Sequence, residues 1–332
     1  MANPAPFRTR VQQLTVAVGA NGKVSFVNHA GTLDISIDVV GYYAGVTGPK
    51  GYAYKPVTPT NLFDTRVGIG AFPPQTIGPK HSVGVSLLSS FGGTSAALPK
   101  VVVLAVSVAG ATANGSLNIF RYDPAKPPTS TSAPGIPVVA FNTGIDTSNL
   151  VTFALGGSTQ VWFYANTTGN VHVHVDIVGT YVTPVNDAKG VPTSAGRFVP
   201  ITTTRVFDSR ANGGAIVAGT PRTFTVAPVA GTTTPLVPAD AIAVNGTFTA
   251  FSATATAALT VASADLCPTP TVLLSTAIAN FNVPVSIQPT LSAVTTCSPT
   301  AGQVTLTATA PPGAATPPQL HAVLDLVGYF SH

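Results

Sequence analysis

The chain contains no glutamate: all 11 of its acidic residues are Asp, set against 15 Lys and Arg, and only 8% of its 332 residues are charged. It holds a single Met. With Glu absent and Lys, Arg and Met scarce, the residues that favour helix are largely missing, which argues against an α-rich fold. The formal net charge of +4 comes from scattered cations with no basic cluster. Nucleic-acid binding, which needs many phosphate contacts on one face, is therefore not expected. Long apolar runs are also lacking. The longest, around residues 101–111, is interrupted by Ser107 and Gly110 and is too short for a transmembrane segment. Met1 is followed by Ala-Asn-Pro-Ala-Pro, without the basic start and apolar stretch of a secretory signal, so export would use another route or a start upstream of this numbering. Enzyme signatures are missing too: no G-x-S-x-G elbow, no P-loop, no H-E-x-x-H and no C-x-x-C. The chain reads as a non-enzyme with no cofactor and no metal.

What is there is Val, Thr and Ala together with 31 Gly and 30 Pro, and a hydrophobic content of 45%. High Gly plus Pro can accompany disorder, but this apolar content with clear alternation builds cores. The composition predicts an all-β protein with many turns.

Three phrases recur. I-S-I-D-V-V-G-Y-Y (35–43), V-H-V-D-I-V-G-T-Y (173–181) and V-L-D-L-V-G-Y-F (323–330) are versions of one text, and P-V-T-P-T-N-L-F-D-T-R (56–66) matches P-I-T-T-T-R-V-F-D-S-R (200–210). An aromatic, Tyr54 or Phe198, precedes each opening phrase. Asp64 to Asp176 spans 112 residues and Asp208 to Asp325 spans 117, far longer than a solenoid repeat and right for tandem domains. The expected organisation is a partial unit over 1–45 holding only terminal strands, a complete β-sandwich over 52–184, and a second over 196–332, with linkers at 44–51 and 183–196. Seven or eight short strands per unit fit jelly-roll or Greek-key winding, and two sandwiches in a row predict a rod. In the partial unit, 13–18, 23–27 and 33–43 match 150–155, 161–165 and 171–181, and P-F-R-T-R (6–10) echoes the opening phrase. Asn21-Gly22 between two alternating runs predicts a hairpin with a type I′ turn.

Alternation sends Ile35, Ile37 and Val39, like Val173, Val175 and Ile177, into the core, and Asp38 and Asp176 to the opposite face. With Phe63 taken as a core residue, Asp64 and Arg66 share the outward face. Opening and closing strands are then neighbours, with Arg66 pairing Asp176 and Arg210 pairing Asp325 as a latch in which Asp64 and Asp208 take part. Gly41, Gly179 and Gly328 read as a bend or bulge ending the strand, with the aromatics that follow packing over the end of the sandwich.

These phrases resemble a β-rich repeat domain of secreted and cell-surface proteins of actinobacteria and related bacteria, which carries an L-L-D-T-R phrase and a V-D-V-V-G-Y-F phrase about as far apart. The resemblance covers both full units and the partial one. It implies an extracellular or envelope-associated role and carries no catalytic residues. Cys267 and Cys297, in the middle of the last unit, depart from it. Their pairing as a disulfide in an oxidising compartment is the expectation, two unlinked thiols the alternative.

Two further constellations carry possible chemistry. His172, His174 and Asp176 line one strand face at metal-ligand spacing, although the trio is not repeated in the other units and a solvated face is the expected reading. Trp162, Phe163 and Tyr164 could form a sugar platform, but only Phe163 is expected to face outward. The sequons at Asn114, Asn166 and Asn245 are ordinary in a Thr-rich chain. The reading is a self-associating, non-enzymatic β-sandwich protein that builds or decorates a fibre, sheath or envelope layer at a cell surface. The alternative is a glycan-binding or adhesion module of a viral tail, at a virion surface, or of a secreted hydrolase.

Overall fold

A computed structural model describes residues 9–19, 21–45, 51–70, 73–123, 125, 133–185, 195–226, 236–238, 241–255, 257–263, 276–281, 287–295, 303–310 and 313–331. Cys267 and Cys297, and with them the disulfide expectation, lie outside the described residues.

The fold is all-β. The first eight strands are β1 (Ala53–Asp64), β2 (Ser82–Ser86), β3 (Val101–Ala109), β4 (Gly115–Phe120), β5 (Ile136–Phe141), β6 (Thr147–Ala154), β7 (Gln160–Thr167) and β8 (His172–Val182). They form two four-stranded sheets, ordered β1-β8-β3-β6 and β2-β7-β4-β5, with antiparallel pairing throughout. That order is the double Greek key of a jelly roll. The chain then repeats it with β9 (Arg197–Asp208), β10 (Ile216–Val217), β11 (Arg222–Thr225), β12 (Ala241–Phe251), β13 (Ala257–Ser263), β14 (Thr276–Phe281), β15 (Ile287–Thr295), β16 (Gln303–Thr309) and β17 (Gln319–Ser331). Here β9 and β10 both pair with β17, the rest of that sheet runs β17-β12-β15, and the second sheet is β11-β16-β13-β14.

Each sandwich encloses its own core. In the first, Val102, Leu104, Val106 and Val108 of β3 face Val161, Phe163 and Ala165 of β7, and the rings of Phe63 and Phe163 lie parallel across the gap at 6.4 Å. The opposite face of β3 is also buried: Val103 and Ala105 join Tyr54, Val178, Ala243 and Phe330 in a third cluster between the two sandwiches. A strand covered on both faces reads as a continuous apolar run, which explains residues 101–111. The rod expected from tandem units is thus replaced by sheets that share a buried apolar layer. Tyr54 and Gly196 exchange backbone hydrogen bonds across this junction at 2.8 and 2.7 Å.

The strands expected at 13–18, 23–27 and 33–43 are not formed, and every residue from 21 to 45 is exposed. The Asn21-Gly22 turn does close, with Gly22 N–H donating to Gly19 O and Gly19 N–H to Lys23 O. Of the two residues only Gly22 has a positive φ, 69°, so the turn is not type I′. A two-stranded ribbon alone is marginal in water, which is why turn chemistry without partner strands stops at the turn.

Candidate functional site

Opening and closing strands are neighbours in both sandwiches, β1 beside β8 and β9 beside β17. The charge pairing differs from expectation. Arg66 turns back on its own strand: Nε donates to Asp64 Oδ1 at 2.9 Å, Nη2 to Oδ2 at 2.7 Å, and the Arg66 N–H to Oδ1 at 2.9 Å. Arg210 and Asp208 repeat this at 3.0, 2.6 and 3.0 Å. Asp176 takes His174 Nε2 at 3.1 Å, and Asp325 takes Arg205 through two bonds of 2.8 and 2.9 Å. The cause is a bulge in each opening strand, between Asn61 and Phe63 and between Arg205 and Phe207, which breaks the period-2 count. It buries Leu62 and Phe63 together, draws Asp64 inside at 4% exposure, and places Asn61 and Arg205, rather than the two later arginines, opposite Asp176 and Asp325. The first sandwich has Asn where the second has Arg205, so it lacks that cross-strand ion pair.

Burial works against the charged form of Asp64, but the hydrogen bonds from Arg66 outweigh it and hold the carboxyl below its ordinary range. For Asp208 the hydrogen bond from Arg210 dominates, and its carboxyl is pulled down to about 2.

The residue between Asp and Arg ties the two strands together. Thr65, fully buried, accepts from Val173 N–H at 3.0 Å and lies 3.0 Å from His172 Nδ1. Ser209, also fully buried, accepts from Ala322 N–H at 3.1 Å and lies 2.9 Å from His321 Nδ1. In each pair the hydroxyl and the imidazole Nδ1 share a hydrogen bond whose direction is set by the histidine tautomer. Charge patterning hid this seam; its signal was the hydroxyl and the His that recur at matching places in both units. His172, His174 and Asp176 do alternate with buried Val173, Val175 and Ile177 on one face. Nδ1 of His172 is engaged with Thr65 and Nε2 of His174 with Asp176, and no metal-holding group of three occurs among the described residues.

A register shift does fall just before each glycine, between Ile177 and Gly179 and between Leu326 and Gly328, but Gly179 and Gly328 do not end their strands, which run on to Val182 and Ser331. Neither has a positive φ; they are glycines for lack of room. A Cβ on Gly179 would stand 2.5 Å from the Tyr54 ring and one on Gly328 2.4 Å from the Phe198 ring. The aromatic before each opening phrase thus lies on the glycine of the closing phrase, a cross-strand pairing that covers the exposed backbone.

The aromatics after these glycines pack not over a sandwich end but in the layer between the sandwiches. Tyr43, Tyr181 and Phe330, one from each closing phrase, form a triangle with ring centroids 6.5, 6.2 and 6.3 Å apart. Tyr54 lies 5.3 Å from Tyr181 of its own unit and stacks at 4.4 Å on Phe330 of the next. Phe198 likewise lies 5.3 Å from its own Phe330 and stacks at 4.3 Å on Tyr43. The hydroxyls of Tyr43 and Tyr181 share a hydrogen bond of 2.5 Å, and burial raises the pKa of both phenols and of Tyr54.

No family model matches the chain. No curated protein matches it either. Among solved structures it is similar to the N-terminal CBM22-1–CBM22-2 tandem domain of Xyn10C from Paenibacillus barcinonensis, at 11% identity, over 83% of this chain and 93% of that one, with a TM-score of 0.21. A score of that size carries neither topology nor ligand across.

In the aromatic trio on β7, Tyr164 is buried as expected, but Phe163 and Trp162 are not as expected. Phe163 is fully buried in the core, while Trp162 faces out and is half-buried. Its indole lies against Gly84 of β2, where a Cβ would meet it at 2.4 Å, and Tyr122 stacks on it at 4.6 Å. The Tyr122 ring, 41% exposed, faces solvent there. The larger apolar surface is on residues 9–45: Ile35, Ile37 and Val39 are 60%, 55% and 87% exposed, where their counterparts Val173, Val175 and Ile177 are at 0%, 0% and 2%. This segment touches the body through Tyr43 and through Gln13, whose Oε1 accepts from Thr152 N–H at 2.7 Å. Among the described residues no helix is long and apolar enough to cross a membrane.

Proposed function

We propose that this is a non-catalytic structural protein of the cell exterior, in which jelly-roll units held together by an aromatic junction associate with further copies to form or decorate a fibre, sheath or envelope layer. The observation that carries the reading is the contrast between two well-packed sandwiches and the apolar alternation of residues 33–40, left open to water. Exposed apolar surface of this kind marks interaction sites in soluble proteins. The resemblance of the opening and closing phrases to a repeat domain of actinobacterial-type surface proteins supports the extracellular placement, and in the two complete units the charged residues of those phrases have architectural partners.

The second reading, a glycan-binding module, is favoured by the exposed face of Tyr122, backed by Trp162 and next to Arg121. Negative-stain microscopy of the purified chain and a glycan array separate the two. Ordered filaments, sheets or closed oligomers with a silent array are expected. Dispersed particles together with saturable glycan signals lost in a Tyr122→Ala variant would replace the first reading by the second.

A further inference from the structure

In the first sandwich the sheet that carries the closing strand runs β8-β3-β6, so β3 lies between two strands that do not pair with each other. Along β8, Ile177, Val175 and Val173 stand opposite Leu104, Val106 and Val108 of β3, all aliphatic and all buried. Residues 33–43 match β8 and residues 13–18 match β6, but within residues 9–45 no run matches β3. No described strand pairs with 33–43, and Val39, Ile37 and Ile35, the counterparts of Ile177, Val175 and Val173, are exposed.

We propose that the place of β3 is filled by residues 33–43 of a second copy of this chain, paired antiparallel with 33–43 about a two-fold axis at Ile37. The proposal rests on the reading of this chain as a self-associating protein and names the segment and its register. Antiparallel is the direction in which β3 lies beside β8. With Ile37 opposite its own copy, Val39 faces Ile35 of the second copy and Ile35 faces its Val39. The second copy's Ile35, Ile37 and Val39 then take the places of Leu104, Val106 and Val108, aliphatic for aliphatic. On the other face Asp38 meets Ser36, whose hydroxyl donates to the carboxylate, and Asp34 meets Val40. Neighbouring registers are worse. A slip by one residue sets the aliphatic side chains against Ser36 and Asp38. An axis at Ser36 opposes Asp34 to Asp38, and an axis at Asp38 opposes that carboxylate to its own copy, both unfavourable like-charge pairs. An axis at Ile35 brings Val39 against Gly31, which is held in a turn where Asn28 Nδ2 donates to its carbonyl at 2.8 Å and its φ is 70°, and leaves Val39 uncovered.

Because the same surface serves both copies, the contact closes on itself. With 13–18 of each copy on the outside, where β6 lies beside β3, the pooled sheet has four strands, as each sheet of the first sandwich has. That takes it past the marginal two-stranded ribbon. Leu14, Val16 and Val18, exposed and alternate, extend its apolar face. The two Tyr43 anchors lie twelve residues apart along the pair, about 40 Å, which puts the two bodies at opposite ends of it.

The test is oxidative cross-linking of the full chain carrying one added cysteine, with the linked peptides mapped by mass spectrometry to distinguish them from links through Cys267 and Cys297. Ile37→Cys sets the new thiol opposite its copy at a Cα separation of about 4.5–5.5 Å, within disulfide reach, and position 37 should link to position 37. Val39→Cys alone keeps its two thiols about 13 Å apart and should link to itself at least about tenfold more slowly. A mixture of Ile35→Cys and Val39→Cys chains should link 35 to 39 as readily as 37 links to itself. All three side chains are exposed, so the variants should keep the parent melting temperature. Failure of position 37 to link, or position 39 linking to itself as fast, overturns the proposal. If sedimentation shows the chain associating while position 37 stays unlinked, this inference falls and the structural reading stands. A chain that is monomeric at every concentration and unlinked at position 37 overturns both.

Discussion

Gly179→Ala is the sharpest perturbation of the junction, since it adds one methyl group at a place with no room. The new Cβ would stand 2.5 Å from Tyr54 Cε2 and Oη, and the Tyr54 ring cannot retreat easily because it is fully buried and stacked on Phe330 at 4.4 Å. If the sheet gives way around the methyl, the cost is that of overpacking, about 1–3 kcal/mol. If Tyr54 is expelled instead, the cost approaches that of losing a buried aromatic, about 3–5 kcal/mol. The sign of the effect can be reversed. In a Tyr54→Ala background the obstruction is gone, and Ala in a strand is preferred over Gly by roughly 0.5–1 kcal/mol. Gly179→Ala should then be neutral or stabilising. Urea unfolding of the parent, both single variants and the double variant measures the coupling. Equal cost in both backgrounds would refute the ring-on-glycine account, and so would a Gly179→Ala variant as stable as its parent.

Thr65→Val keeps the shape but leaves Val173 N–H and His172 Nδ1 without their partner; an unsatisfied buried group costs about 1–3 kcal/mol, and Ser209→Ala should lose a similar amount, both read as a fall in unfolding free energy. Nitrogen NMR of the histidines should find Nδ1 of both His172 and His321 hydrogen-bonded, and a free Nδ1 in either would contradict the hydroxyl seam. The Asp208 carboxyl, at about 2 when folded and about 3.9 when unfolded, binds its proton less tightly in the folded chain. Its contribution is present above about pH 4 and is lost as pH falls toward about 2; Arg210→Gln should flatten that acid limb of the melting temperature, and an unchanged limb would remove the pair from the account. Asn61→Arg should create in the first sandwich the cross-strand ion pair that Arg205 makes in the second, for a gain of at most about 1 kcal/mol because the site is exposed; a larger gain would show the position to be better screened from water than its counterpart.

Period, repeats and turn residues made much of the fold legible. Spacing between phrases located equivalent strands, and Val and Thr content with Gly and Pro punctuation pointed to sandwiches with jelly-roll winding. Faces were lost wherever the period-2 count was interrupted. The bulges at Leu62 and Val206 leave no mark in composition, yet they move Asp64 inward and pass the cross-strand pairing from Arg210 to Arg205. The run Val161 to Ala165 is apolar or aromatic at every position, so alternation could not tell that Phe163 points in and Trp162 out. The junction between sandwiches was invisible for a related reason: Val103, Ala105 and Tyr54 look like residues of one core when read within one unit. What the repeated phrases do together, bringing Tyr43, Tyr181 and Phe330 to one point, is a relation between units that no single unit's pattern contains.

The central claim is that this chain works by associating through its surface. Sedimentation velocity over a wide concentration range tests it most directly, because it reports the size of the protein in solution without a support film. The account predicts a weight-average sedimentation coefficient that rises with concentration toward discrete larger species, with Ile37→Lys suppressing the rise. A single monomeric boundary with the same coefficient at every concentration would contradict it.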